Sequence, residues 1–433
     1  MHRQTKPVRY AVGMFGTSIP INMFKTYAAI YYVDQLGLST ALFSLTLFIY
    51  TFIDALDNPI YGYLSDRTRT RWGRRRPWLV IGAPLLGLGL LAFYNPPSFL
   101  AGNALFAYFL ITYIFTGTVD SLVNANYGAL FPELFQDDAV RASTNAMRQA
   151  FQLVAMIISI ALTPLVAGAL GYPLTALVYG ILGAGVILYS TLGCYENPAY
   201  QEQEKPQLWD SVKTLAANGK FWIAGFANAF YSATMSLVLA AIPFFVKYVL
   251  QVPDAQATLL FAAVLLIAIA AIGVWALLVK RYSVVPVWRA ALLVLAVGFI
   301  PLYFVRSLAS AIAASALVGV GFAGVICTMD LIGARIIDED SAQSGVRREA
   351  IYSNAIGFMN RLNGLFTSVA FLLVNRVYGF ESGDAPGPNP AQAVRFLLVV
   401  FPFFLMVISA VFSRFLNFED REGAPHGRPV SHP

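Results

Sequence analysis

About twelve apolar runs of roughly 20 residues each, separated by polar or Pro/Gly breaks, constrain this chain more than any other feature. They lie near 10–33, 40–64, 77–95, 103–128, 145–169, 173–193, 220–248, 256–280, 284–304, 309–335, 349–376 and 393–416. At 1.5 Å per helical residue, such a run spans the ~30 Å hydrocarbon core of a bilayer. Lipid offers no partner to a bare N–H or C=O, so each run must satisfy its own backbone as a helix. The expected fold class is therefore an all-α membrane protein. Composition agrees, since 58% of the 433 residues are hydrophobic and 12% charged, against about 25% charged in a soluble domain. The opening MHRQTKPVRY is polar and basic, and the run behind it exceeds the apolar core of a signal peptide, so it is expected to be the first membrane helix.

Loop charge orients the helices. With the N-terminus in the cytoplasm, most of the 29 Lys and Arg fall on that side, while Lys247, Arg306, Arg376 and Arg395 fall opposite. Both termini are thus expected in the cytoplasm, in the cell inner (plasma) membrane. Topology and anionic lipid then account for the net charge of +6, and nucleic acid drops out of the expected partners. All six tryptophans (Trp72, Trp78, Trp209, Trp222, Trp275, Trp288) fall at or near the same helix ends, as an interfacial belt would. The segment 194–219 reads as a cytoplasmic linker between a half at 1–193 and a half at 220–416, with 417–433 as a cytoplasmic tail. Weak internal similarity supports two six-helix halves: KRYSVVPVWR is a degraded counterpart of the basic turn at 67–76, and RIIDEDSAQSGVRRE of PELFQDDAVRASTNAMR. Halves related by an axis along the membrane normal place a site between them, reached alternately from each side by rocking.

Charge inside the spans points to that site. Asp54 lies about ten residues before the polar end near Leu64, roughly 15 Å and so close to the midplane. A charge there costs at least ~2.5 kcal/mol, and such residues face the bundle interior on a substrate or ion pathway. Asp54, Asp57 and Asn58 stand at i, i+3 and i+4 on one helical face, and Pro59 frees a carbonyl one turn back, near Ala55. Two carboxylates, an amide oxygen and a spare carbonyl suit Na⁺ or a proton-titrating pair. The competing use is an ion pair with Lys25 or Arg361, and if both aspartates were held that way, ion coupling would be absent. Arg361 lies near the midplane of the eleventh span, which favours a pathway role, whereas Lys25 on the first serves a pathway or a structural pair equally well. Asp120, Ser121, Asn124 and Asn126 form a polar patch on the fourth span, followed by Arg148 on the fifth. Among many aromatics, Tyr31, Tyr32, Tyr127 and Tyr231 are candidates to stack on a sugar ring or accept an acyl chain.

Asp66 and the arginines after it (Arg67, Arg69, Arg71, Arg74, Arg75, Arg76) form the densest charge cluster. Beyond a topology signal, they read as a gating latch in which Asp66, Arg67, Arg74 and Arg75 pair with neighbouring helices in one access state and release them in the other. Cys194, Cys327 and three histidines in the tails have no metal-ligand spacing, and no nucleophile–base pair or phosphate loop stands out. No enzyme is expected, and no cofactor beyond a transported Na⁺ or H⁺.

The segment DALDNPIYGYLSDRTRTRWGRRRPW resembles the signature of the glycoside-pentoside-hexuronide:cation symporters, the major-facilitator branch that contains the bacterial melibiose permease. NANYGALFPELFQDDAVRASTNAMRQAF resembles that family's 4–5 loop, and DEDSAQSGVRREAIYSNAIGFMNRLNG its 10–11 loop and eleventh helix. The resemblance implies a major facilitator fold of twelve helices and solute uptake driven by Na⁺, Li⁺ or H⁺. By the same resemblance, Asp54 matches the first cation-site aspartate of a D-A-x-x-D-P pattern and Ser121 falls where a threonine helps that site. Arg148 matches a site-lining arginine, and Arg361 stands where a lysine lies between sugar and cation sites. The pattern's second aspartate is Asn58 here, and a carboxylate appears instead at Asp57, about 100° round the helix. Ser18 and Asn124 stand where two aspartates hold galactoside hydroxyls, and Gly128 where a tryptophan stacks.

The expected function is cation-coupled symport, by H⁺ or Na⁺, of a sugar-like solute (glycoside, pentoside or uronide) by alternating access, in a monomer. The cation is expected at Asp54, Asp57, Asn58 and Ser121, and the solute at Ser18, Lys25, Asn124, Tyr127, Arg148 and Arg361. The charges of Lys25, Arg148 and Arg361 point toward an anionic solute such as a uronide. Symport of a lysophospholipid or other amphiphile, an uncoupled transporter, and a membrane sensor that has lost coupling are the alternatives.

Overall fold

A computed structural model describes residues 5–135, 138–196, 217–344 and 349–418. Its long helices are α1 (Gly13–Ala29), α2 (Thr40–Arg67), α3 (Arg76–Phe93), α4 (Gly102–Leu134), α5 (Asp138–Met156), α6 (Thr163–Leu192), α7 (Gly219–Phe245), α8 (Ala257–Tyr282), α9 (Val284–Tyr303), α10 (Leu308–Ser344), α11 (Glu349–Arg361), α12 (Asn363–Tyr378) and α13 (Phe401–Arg414). They make twelve crossings, with α11 and α12 together forming the eleventh. A π-helical turn, Ile30–Gln35, continues α1, and another, Val246–Leu250, continues α7. The boundary between the fifth and sixth crossings falls inside α6 at Gly171, whose φ of 77° and ψ of 159° interrupt the helix. Glycine adopts that backbone without the cost a Cβ would impose, and Pro173 restarts the helix two residues on.

Ten helical stretches among the described residues are long and apolar enough to cross a membrane. The first crossing is interrupted at Val12, between a short helix Pro7–Ala11 and α1, and α5 is polar along one side, with Asn145, Arg148, Gln149 and Gln152. α4 and α10 run on to Leu134 and Ser344, beyond the expected ends near 128 and 335, because a helix satisfies its backbone in water as well as in lipid. The extension of α4 is what carries Glu133 to the arginine turn.

Small residues set the tightest packing. A Cβ on Gly16 of α1 would lie 2.9 Å from the Gly183 carbonyl oxygen of α6, and one on Gly87 of α3 would lie 3.0 Å from that of Gly180. Close backbone approach of this kind is how helices associate where lipid removes the hydrophobic drive. The halves meet along α2 against α12, along α1 against α7, and where the π-helical turn Ile157–Ala161 after α5 meets α8.

Hydrogen bonds between the halves concentrate at the end opposite the arginine turn. There Ser368 Oγ donates to the Ser44 carbonyl at 2.7 Å, Thr40 Oγ1 to that of Phe380 at 2.8 Å, and Gly383 N–H to that of Val33 at 2.8 Å. Asp34, in the π-helical turn after α1, accepts Lys247 Nζ at 2.5 Å and the Tyr248 hydroxyl, both from the matching turn after α7. Thr40 N–H adds a bond to the Glu381 carbonyl at 2.7 Å at the same end, and among the described residues the remaining hydrogen bonds joining the halves lie at the centre, around Arg361.

The tryptophan belt is only partly present. Trp72 and Trp222 are exposed, but Trp288 is fully buried and Trp275 packs into α10 with Nε1 donating to the Val320 carbonyl at 2.8 Å. An indole N–H that finds a carbonyl inside a helix pair has no need of the interface. Trp209 lies outside the described residues, as do 197–216 of the expected linker and 419–433 of the expected tail.

Candidate functional site

Asp54 is held from three directions. Tyr50, one turn back on α2, donates to Oδ1 at 3.2 Å, and Ser121 of α4 donates to the same oxygen at 2.9 Å. Arg361 Nη1, from the other half, also donates to that oxygen, and reaches the Asp54 carbonyl at 2.7 Å and Ser121 Oγ at 3.2 Å. The carbonyl so used is one residue before the Ala55 carbonyl expected to be free. Arginine stays protonated, so this is a fixed, charge-assisted contact between the halves.

The local chain explains why Arg361 can reach across. It ends α11, where Leu362 and Leu365 N–H bond carbonyls three residues back at 3.1 Å each, tightening the turn. α7 steadies that turn: Asn228 Nδ2 donates to Asn360 Oδ1 at 2.6 Å, Ser232 Oγ to the Asn360 carbonyl at 3.3 Å, and Asn363 Nδ2 to Ser232 Oγ at 3.4 Å.

Two more carboxylates lie in the same cluster. Asp57 is buried, its Oδ2 has no hydrogen-bond partner, and it lies in electrostatic range of Asp54 and Arg361. Asp120 of α4 is also buried and accepts Asn124 Nδ2 at 2.6 Å, with Lys25 and Arg361 the cations in range. The cluster therefore holds three carboxylates against two cations. Left fully ionised, it would carry one uncompensated negative charge inside the membrane, which is expensive enough to call for a proton or a bound cation.

α1 supplies a polar face at i, i+4 and i+7. Ser18 is buried, Asn22 Nδ2 is buried without a partner, and Lys25 is exposed. Asn124, although bonded to Asp120, keeps its amide oxygen as an acceptor.

Tyr127 and Arg148 belong to a separate cluster. Tyr127 stacks on Tyr10 with ring centroids 4.7 Å apart, and each hydroxyl donates to the other's carbonyl, at 2.8 and 2.7 Å. Its ring faces and hydroxyl are thus spent on packing, which leaves no surface for the expected solute contact. The Arg148 guanidinium sits 4.9 Å from the Phe131 ring, 5.4 Å from Tyr127 and 5.7 Å from Tyr10, while its Nε is buried without a partner. Cation–π contact fixes the charge there. Beside it, Cys194 donates to the Ser190 carbonyl at 3.3 Å, and burial pushes its thiol up to about 12.

Several contacts of the arginine turn lie within its own half. Arg74 Nη2 pairs with Glu133 at 2.7 Å, Arg75 Nε approaches the same carboxylate at 3.4 Å, and Arg75 also donates to Ser65. Glu196, past the end of α6, takes the Arg74 N–H at 2.8 Å, the Arg76 N–H at 2.9 Å and the Arg75 N–H at 3.1 Å, which caps the N-terminus of α3 with a negative charge. Arg67 is exposed. The side chains of Asn58 and Asp66 lie outside the described residues.

Glu133, Glu196, Asn22, Asp34, Lys247 and Asn228 are the partners that sequence reasoning missed. One signal was available: Asp34 and Lys247 are opposite charges at the same end of the first helix in each half.

A family model described as MFS/sugar transport protein matches residues 9–420. The chain belongs to that family, and its relatives are symporters of the glycoside, pentoside and hexuronide type. It is 25% identical to the isoprimeverose transporter of Lactiplantibacillus pentosus, over 93% of this chain and 86% of that one. The identity is 24% to the uncharacterized symporter YnaJ of Bacillus subtilis, over 96% and 92%. Among solved structures, a D323A mutant of the nucleoside transporter NupG superposes with a TM-score of 0.71 at 12% identity, covering 95% of this chain and 99% of that one. A bacterial homologue of the human lysosomal transporter Spinster, inward-facing and occupied, superposes with a TM-score of 0.67 at 14% identity, covering 95% of each. The protein is a multi-pass membrane transporter of the sugar-transport type, not an enzyme, and its cargo is a small molecule.

Proposed function

We propose that this protein is a proton-coupled symporter of a neutral glycoside or pentoside, working by alternating access as a monomer in the cell inner membrane with both termini cytoplasmic. One observation carries the reading: Arg361 already occupies the Asp54 oxygen where a metal cation would be expected. A guanidinium fixed there disfavours Na⁺, which would have to displace a hydrogen-bonded cation of equal charge. The excess negative charge then falls to Asp57 and Asp120, where a proton neutralises it at no cost in space.

The neutral cargo follows from the same pairing. With Arg361 committed to Asp54, and Lys25 in range of Asp120, little cationic surplus remains for a uronide carboxylate. Ser18, Asn22, Lys25 and Asn124 are the proposed solute contacts, as donors and acceptors for hydroxyls. The name of the isoprimeverose transporter among the relatives favours the same class. Binding between the halves would draw α1 and α4 toward α7 and α11, so that solute and proton together permit the rocking step.

The test is solute uptake into proteoliposomes under an imposed pH gradient or Na⁺ gradient. The reading expects accumulation of a glycoside or pentoside with the pH gradient alone. Robust movement of a lysophospholipid with no sugar flux would replace it with the amphiphile reading, and exchange that ignores both gradients would remove coupling.

A further inference from the structure

The turn between α2 and α3 leaves a cavity of about 360 Å³ beside the end of α6, walled by Arg71, Trp72, Arg76, Tyr195 and Glu196. Its single carboxylate is already spent, since both oxygens of Glu196 receive backbone N–H groups of the turn. Among the described residues the Arg76 guanidinium donates only to carbonyls, that of Thr191 at 3.1 Å and that of Trp72 at 3.4 Å, and lies 5.8 Å from the Tyr195 ring. Arg71 lies 5.8 Å from the Trp72 ring and pairs with no carboxylate among the described residues. Two guanidinium groups therefore border a recess that has no free anion among the described residues.

Below the recess, the exposed side of α6 is apolar. Val178, Ile181, Tyr189 and Leu192 share one face of α6 and are 45%, 65%, 54% and 56% exposed, with the Arg9 guanidinium 3.6 Å from the Tyr189 ring, and the stripe continues to Tyr195. Trp72, exposed at the rim, has the amphipathic ring that favours headgroup depth. A soluble phosphate would match the recess alone. A phospholipid matches both parts, with an anionic head and apolar chains.

We propose that this recess binds the headgroup phosphate of an anionic phospholipid, between Arg71 and Arg76, with the acyl chains along the exposed face of α6. The lipid would brace the arginine turn from outside while Glu133 and Glu196 hold it from within.

The test is native mass spectrometry of the full-length protein released from nanodiscs containing phosphatidylglycerol or phosphatidylcholine. Arg71 makes no side-chain hydrogen bond among the described residues, so Arg71→Gln serves as the probe and Arg71→Lys as its charge-retaining control. Arg281→Gln, at the α8–α9 turn, controls for general surface charge. The proposal expects wild type to retain phosphatidylglycerol but not phosphatidylcholine, with severalfold loss in Arg71→Gln and retention in the other two. Unchanged retention in Arg71→Gln, equal loss in Arg281→Gln, or equal retention of phosphatidylcholine would each overturn it. Displacement of the lipid by millimolar inorganic phosphate would reassign the recess to a soluble anion.

Discussion

Arg361 on α11 and Asp54 on α2 form an ion pair across the two halves of the transporter, and the same guanidinium holds the Asp54 carbonyl and Ser121. The pair lies at the centre of the molecule, between a bonded end and the arginine-turn end. Under the proposed alternating access, rocking of the halves would strain or break it, so its strength would bear directly on the transport cycle.

Removing either partner alone leaves a charge without compensation. Arg361→Gln is expected to abolish transport and lower stability by about 3 kcal/mol, toward the lower end for broken buried pairs because both groups keep some exposure. Asp54→Asn should behave similarly. The double variant should be more stable than the sum of the two predicts, and thermal unfolding of all four proteins in detergent checks this.

Asp57 and Asp120 should separate coupling from binding. Asp57→Asn removes the carboxylate whose Oδ2 has no partner, without disturbing a hydrogen bond to that atom. Solute counterflow is expected to persist while gradient-driven accumulation falls to about unity, since exchange needs no net proton movement. Asp120→Asn should lose both, because the 2.6 Å bond from Asn124 Nδ2 at the proposed solute face would then be made to a neutral amide oxygen and lose its charge assistance.

Asp34 should govern the bonded end. Asp34→Asn weakens the contacts to Lys247 and Tyr248, and a charge-assisted bond of this kind contributes about 1.5–3 kcal/mol. The balance of access states should then shift roughly tenfold or more toward opening at that end. Maleimide labelling of a cysteine placed at Ser44 would report it, in a Cys327→Ser background. Cys194 can stay, since its thiol is buried and held protonated.

Glu196 should matter for stability more than for solute affinity. Glu196→Ala uncaps α3 and frees three N–H groups, which is expected to cost about 1–2 kcal/mol. Thermal unfolding measures that cost, and the half-saturating solute concentration should stay close to wild type.

Most of the crossings were legible because lipid forces an apolar run into a helix, so length and apolarity mark ten of them, while the first and the polar-sided fifth are weaker on that measure. Asp54 and Arg361 were legible for a related reason, as charges where charge is expensive. Their mutual pairing was not, since 307 positions separate them and Lys25 was an equally good partner on paper. Tyr127 misled because a tyrosine on a polar helix reads the same whether its ring faces a cavity or Tyr10. Glu133 and Glu196 went unnoticed because acids at helix ends in water are common, and their distances to the arginine turn depend on how far α4 and α6 project.

The most direct measurement is solute accumulation in proteoliposomes energised by a pH gradient or by a Na⁺ gradient, in wild type and Asp57→Asn. The account predicts accumulation in wild type with the pH gradient alone, and none in Asp57→Asn although counterflow continues. Accumulation driven by Na⁺ at uniform pH, or full pH-driven accumulation in Asp57→Asn, would contradict it.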